Sequence, residues 1–152
     1  MSKAPCISKG TLYRRGRLQD LDRALEKKVK KVLLVDDDPH YVKLVKESLE
    51  EEGYFVQCAY NGRSALTAAQ GWKPDVILMD VNMPFLDGLK TFRHLRAETE
   101  TSQIPVIFIS ELVSQVIYPV VETAQRVAHI KKPIDLVDLS SLLRLFFQRY
   151  AA

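Results

Sequence analysis

The chain has 152 residues, 47% hydrophobic and 27% charged, with a formal net charge of +3; this is enough for one domain with a substantial core and too short for two ordinary ones. No apolar run approaches the ~18 residues of a membrane span. The N-terminus lacks the apolar stretch of a secretory signal, and two cysteines, Cys6 and Cys58, supply no disulfide framework, so a reducing, cytoplasmic setting is expected.

Residues 1–31 carry ten Lys or Arg against three acids, whereas residues 32–152 carry 12 basic and 16 acidic side chains. Residues 1–30 therefore form a basic extension on an acidic domain expected over 31–150. Its first 17 residues look irregular, and Leu18, Leu21, Leu25 and Val29 recur at spacings of three and four, which predicts an amphipathic helix over 18–30. The clusters Arg14-Arg15-Gly16-Arg17 and Lys27-Lys28-Val29-Lys30-Lys31 suit a nucleic-acid or anionic-surface contact. A solvated terminal extension is the plainer alternative.

From Lys31 onward short apolar strands alternate with amphipathic helices, the pattern of a parallel sheet covered on both faces. Strands are expected near 31–36, 54–59, 75–80, 104–109 and 127–131. The first helix follows Asp38-Pro39, an N-cap acceptor and a residue suited to the first helical position, and Gly53 closes it. A second helix is expected from about Gly62 to Gln70, and a third after Asp87 with Leu89, Phe92 and Leu95 on one face. The fourth region, 112–121, is apolar over a broad arc and contains Pro119, so a helix there either kinks or starts near that proline. The last helix begins at the cap Asp135 and runs toward Tyr150.

Two of these strands end in acid. Val32-Leu33-Leu34-Val35 runs into Asp36-Asp37-Asp38, and Val76-Ile77-Leu78-Met79 into Asp80, 44 positions after Asp36. In an open parallel sheet, ligands collect outside the carboxyl ends of the strands where strand order reverses, so these acids are expected to meet. Two unit charges about 4 Å apart repel by roughly 4 kcal/mol at an effective dielectric near 20. A cluster of them must bind a cation or hold protons. All the candidate donors are hard carboxylate oxygens, which selects Mg²⁺ or Ca²⁺. Two further strand ends supply Ser110 and Lys132, groups that suit an acyl phosphate on one of the aspartates. Each residue also has a plainer role: Asp38 and Asp87 as helix caps, Ser110 as a strand end, Lys132 as a surface cation.

From about Lys31 to Tyr150 the chain resembles the receiver domain of two-component response regulators. Asp36-Asp37-Asp38-Pro39 resembles the family's acidic-pocket strand end, and Asp80-Val81-Asn82-Met83-Pro84-Phe85-Leu86-Asp87-Gly88 its phosphoacceptor strand end and loop. Ser110 falls at its Ser/Thr position and Lys132-Pro133 at its Lys-Pro, 22 residues later. The resemblance implies a doubly wound, flavodoxin-like (βα)5 fold with strand order 2-1-3-4-5. It implies that Asp80 accepts a phosphoryl group from a histidine kinase or phosphotransfer protein. It also implies that Asp36, Asp37, Asp80 and the backbone carbonyl of Asn82 hold Mg²⁺, that Lys132 contacts the acyl phosphate, and that Ser110 turns inward to bond it. The chemistry is at most self-phosphotransfer and autodephosphorylation at Asp80. The sequence ends at Ala152, directly after the last helix, so the expected output is that of a single-domain regulator whose protein-binding surface changes on phosphorylation.

Three positions depart from the family pattern. Glu111 stands where a small residue usually leaves the phosphoryl pocket open, and its charge either swings to solvent or opposes an incoming phosphate. His129 occupies the position of a Tyr or Phe switch ring, which makes it either a pH-tuned switch or a packed strand-edge residue. Gln125-Arg126-Val127-Ala128 replaces a Gly-Ala-type turn. Together with Pro119 this makes 112–128 atypical, and its apolar excess, with the last helix, is a candidate surface for a partner or a homodimer. A receiver-fold adaptor that binds partners independently of phosphorylation is the alternative reading.

Overall fold

The computed structural model describes residues 29–111 and 115–150; the helix expected over 18–30 and most of the basic extension lie outside these residues. Five strands alternate with five helices: β1 (Lys31–Val35), α1 (Pro39–Glu51), β2 (Phe55–Ala59), α2 (Gly62–Trp72), β3 (Val76–Asp80), α3 (Gly88–Ala97), β4 (Val106–Ser110), α4 (Ile117–Thr123), β5 (Val127–Lys131) and α5 (Leu136–Tyr150). All strand pairings are parallel, in the order β2-β1-β3-β4-β5. The chain leaves β1 for one side of the sheet and returns to the other, so the order reverses between β1 and β3.

The unbroken apolar runs of β3 and β4 reflect burial on both faces, and every residue of both strands is buried. Because successive side chains alternate across a strand, the runs divide into two cores. Val32, Leu34, Leu78, Ile107 and Ile109 pack with Val42, Val45 and Leu49 of α1 and Leu139, Leu143 and Phe146 of α5. Leu33, Val35, Ile77, Met79 and Phe108 pack on the other face with Ala65 and Ala69 of α2, Phe92 and Leu95 of α3 and Ile117 of α4. Burying such Leu, Ile, Val and Phe side chains contributes roughly 1.5–3 kcal/mol each, which holds the strand ends in fixed register.

The helix starts are set by side-chain acceptors. Asp38 Oδ1 accepts from His40 N–H at 3.0 Å, Asp87 Oδ1 from Lys90 N–H at 2.8 Å and Asp135 Oδ1 from Val137 N–H at 2.8 Å, so all three expected caps are present. Asn61 caps α2 in the same way, accepting from Ser64 N–H at 2.8 Å. Helix α4 starts near Pro119 rather than kinking at it. The proline is the third residue of the helix, in the first turn, where a missing N–H breaks no internal bond. The broad apolar arc of this region divides between buried Ile117 and exposed Val116 and Tyr118. Arg126, in the turn before β5, has φ +61, a left-handed backbone at the place where the family resemblance had suggested a glycine-type turn.

Gly88 fixes the approach of α3 to the end of β3: a Cβ there would sit 2.2 Å from the Asp80 carbonyl oxygen and 2.9 Å from Val81 Cα, both backbone atoms that cannot swing away. Gly71, near the end of α2, has nothing within 4 Å of such a Cβ. Urea denaturation should show Gly88→Ala losing about 1–3 kcal/mol through forced backbone displacement, and Gly71→Ala gaining about 0.5–1 kcal/mol of helix propensity. Equal effects at the two sites would contradict this packing.

Candidate functional site

The reversal between β1 and β3 leaves an open end at the carboxyl edge of the sheet, and the two acidic strand ends flank it. Val35 pairs with Met79, so Asp36 and Asp80 leave the sheet side by side. Asp36 and Asp80 are buried and Asp37 is exposed, yet the three offer carboxylate oxygens all within 4.8 Å of one another. Lys132, just past β5, reaches across: its Nζ lies 2.6 Å from Asp36 Oδ2 and 3.7 Å from Asp80 Oδ1. Its position is held by a backbone bond, Lys132 N–H to the Ser110 carbonyl at 2.8 Å.

The two buried acids differ in their surroundings. Asp36 accepts at both oxygens, from Asp38 N–H at 2.9 Å and from Lys132. The Asp80 carboxyl is pushed up to about 6, first by burial and then by the Asp36 charge; Lys132 and the Asn82 N–H oppose this, and Asp37 adds to it. Burial alone would lower the Lys132 ammonium, but its hydrogen bond to Asp36 and the charges of Asp36, Asp80 and Glu111 outweigh that and raise it. Lys132 also stands 4.3 Å from the centroid of the Tyr41 ring. Tyr41 belongs to this site, although its sequence pattern shows only an apolar position on α1. Its phenol is pushed well up by burial and by the Asp36 and Asp80 charges, and its hydroxyl is buried without a hydrogen-bond partner among the described residues.

Ser110 is buried at the end of β4, beside the strand that ends in Asp80. Asn82 lies two residues beyond Asp80 and uses its N–H on that carboxylate. Glu111 is exposed, with its charge felt at Lys132. His129 sits in β5 opposite Phe108, partly buried, with Nε2 enclosed and lacking a partner among the described residues. Burial lowers its pKa below the ordinary imidazole value, because enclosure disfavours the charged ring. Asp38 and Asp87 are engaged as helix caps.

A doubly wound sheet with an acid cluster at its switch point and a lysine reaching over it defines a class of α/β proteins that handle anionic ligands with a cation. The response regulator receiver domain model matches residues 32–144, and the chain belongs to that family, the receiver domains of two-component systems. The chain is similar to the protein PilH of Pseudomonas aeruginosa, 41% identical over 80 residues that cover 53% of this chain and 66% of PilH. In structure it is similar to the Vibrio cholerae chemotaxis protein CheY4, with a TM-score of 0.72 and 29% identity over 78% of this chain and 98% of that one. It is also similar to the receiver domain of the Pseudomonas aeruginosa sensor histidine kinase PA1611, which holds a magnesium ion in its active-site cleft. That match has a TM-score of 0.72 and 27% identity over 79% of this chain and 98% of that one. The chain spans between about a quarter and two thirds of the length of the curated relatives it matches.

The raised Asp80 value has a stability consequence with a definite sign. A carboxyl whose folded value lies near 6 against a free value of 3.8 favours folding while protonated, and that contribution is lost as pH rises through the folded value. Asp80→Asn should therefore stabilise the metal-free protein by on the order of 2 kcal/mol above about pH 7, with the gain vanishing below about pH 4. Chemical denaturation of both proteins in EDTA across that range checks this. A loss of stability at neutral pH would contradict it.

Proposed function

We propose that this chain is a phosphorylatable receiver in which Asp80 accepts a phosphoryl group from a histidine kinase or phosphotransfer protein. The observation that carries the reading is the convergence of Asp36, Asp37 and Asp80 within 4.8 Å under a lysine 3.7 Å from the Asp80 carboxylate. The three acids present hard oxygen donors only, the set that fits Mg²⁺, and the PA1611 receiver with its magnesium ion supports the same choice. Asp36, Asp37, Asp80 and the Asn82 carbonyl would hold the ion, and its chemistry when bound is to draw charge from the phosphoryl oxygens.

In the transfer, an Asp80 carboxylate oxygen attacks phosphorus, and the P–N bond to the donor imidazole breaks with its electron pair passing to nitrogen. An acyl phosphate forms on Asp80. Lys132, already placed between Asp36 and Asp80, steadies the added negative charge, and Ser110 at the neighbouring strand end is the hydroxyl that turns to the phosphate. Hydrolysis follows when water attacks phosphorus and the acyl P–O bond breaks, returning the Asp80 carboxylate and inorganic phosphate.

The receiver unit in this reading spans 31–150, with the basic extension before it. The output surface lies on the side of α4 and α5, where Val116, Tyr118, Val137 and Leu145 are exposed. Such a surface suits a downstream protein or a second copy of the chain, and its state follows the charge on Asp80. Among the described residues no helix is long and apolar enough to cross a membrane.

Incubation with phosphoramidate and Mg²⁺ tests the assignment. Intact mass should rise by one phosphoryl group, and borohydride reduction should convert residue 80 to homoserine. Asp80→Asn should abolish the adduct and Lys132→Ala should slow its formation by about tenfold or more. An adduct that persists in Asp80→Asn, or none in the parent protein, would sink the proposal.

A further inference from the structure

The loop between β3 and α3 is fastened at both ends and strained at its tip. Gly88 N–H and Met83 N–H both donate to the Val81 carbonyl, at 3.0 and 3.2 Å. Leu86 is pressed against the start of α2, where a Cβ on Gly62 would come within 2.7 Å of its carbonyl oxygen and 2.9 Å of its Cδ2. Between these anchors Leu86 N–H donates to the Pro84 carbonyl at 2.8 Å, which closes a three-residue turn centred on Phe85. Phe85 has φ +67, so the turn is the rarer, positive-φ kind of γ-turn, disfavoured for an L side chain.

The Phe85 ring gains nothing from the fold. It is 102% exposed, the most exposed of the large apolar side chains described, while Met83 two residues earlier is buried. A bulky apolar ring thus bears both a backbone penalty and full hydration, at a loop tip five residues beyond the end of the strand that carries Asp80. Strained, over-determined geometry of this kind gathers at functional sites, and a ring held out on a braced turn loses little freedom on binding.

We infer that Phe85 is the docking anchor for the protein that donates the phosphoryl group, seating in an apolar depression beside the donor's phosphohistidine. The inference rests on the proposed role of Asp80. The donor is the partner whose reacting atom must reach Asp80, so its surface has to cross the loop that starts at Val81. A downstream target has no such obligation. An aromatic anchor in a desolvated pocket is the side chain that dominates interfaces of this type.

The experiment separates this docking from chemistry at Asp80. Autophosphorylated histidine kinase domains encoded in the same genome are each mixed with the parent protein, Phe85→Asn and Phe85→Tyr, with phosphoramidate labelling run in parallel. Asn removes the ring but tolerates the left-handed turn, so Phe85→Asn should melt at the same temperature or higher. The expected result is a loss of about ten- to hundredfold in transfer from the preferred kinase for Phe85→Asn, near-parental transfer for Phe85→Tyr, and equal phosphoramidate labelling of all three. Unchanged kinase transfer in Phe85→Asn would overturn the inference, as would a parental chain that takes phosphate from phosphoramidate but from no kinase. Sedimentation that shows Phe85→Asn dissolving a dimer with transfer intact would assign the ring to self-association instead. Failure of phosphoramidate to label the parental chain would count against the role of Asp80 itself.

Discussion

Repulsion between carboxylates at the switch point is the constraint on which the rest of the site depends. The register of β1 against β3 sets Asp36 beside Asp80, and Asp37 completes a cluster whose oxygens lie within 4.8 Å. At such separations the repulsion amounts to several kcal/mol at a protein-like dielectric, comparable to a large part of a small domain's net stability. The two cores on either side of the sheet hold the acids together despite this. Lys132 answers part of the charge from the far edge strand, and the remainder is what a proton or a metal ion can neutralise.

The three acids are chemically distinct although they carry the same side chain. Asp36 is buried with both oxygens engaged, by Lys132 and by a backbone N–H, so its side chain is fixed in place. Asp80 is buried with weaker compensation and its proton is held up to about 6. Asp37 is exposed and free to follow a cation. Environments that pull like groups apart in this way separate a reacting carboxylate from its supporting ones. Tyr41 contributes beneath Lys132: its ring face favours the ammonium, and its buried hydroxyl finds no partner among the described residues.

Much of this was legible in the chain. Each strand lies within a residue or two of its expected place because central strands buried on both faces must be apolar runs with abrupt ends, and acids after such runs can only sit at the sheet's carboxyl edge. Asp38, Asp87 and Asp135 were legible as caps because capping is a local bond over two or three residues. What was hidden depends on distant contacts or on backbone angles. The bond from Lys132 to Asp36 spans 96 residues, and the place of Tyr41 beneath that lysine follows from it. Phe85 reads as one more apolar residue, and only its φ and exposure reveal the strained turn. The region around Pro119 was ambiguous because its apolar side chains divide between core and surface over a single helix of seven residues. For His129 the structure shows a partly buried ring whose enclosure lowers its pKa, which a strand pattern cannot reveal.

The site turns on one balance: among the described residues, Lys132 leaves the carboxylate cluster short of a cation. Calorimetric titration of the intact chain with Mg²⁺ at neutral pH, beside Asp36→Asn, measures that balance directly. The predicted result is saturable binding of one ion per chain, weakened by at least about tenfold when Asp36 loses its charge. Absence of saturable binding, or affinity indifferent to Asp36→Asn, would contradict it.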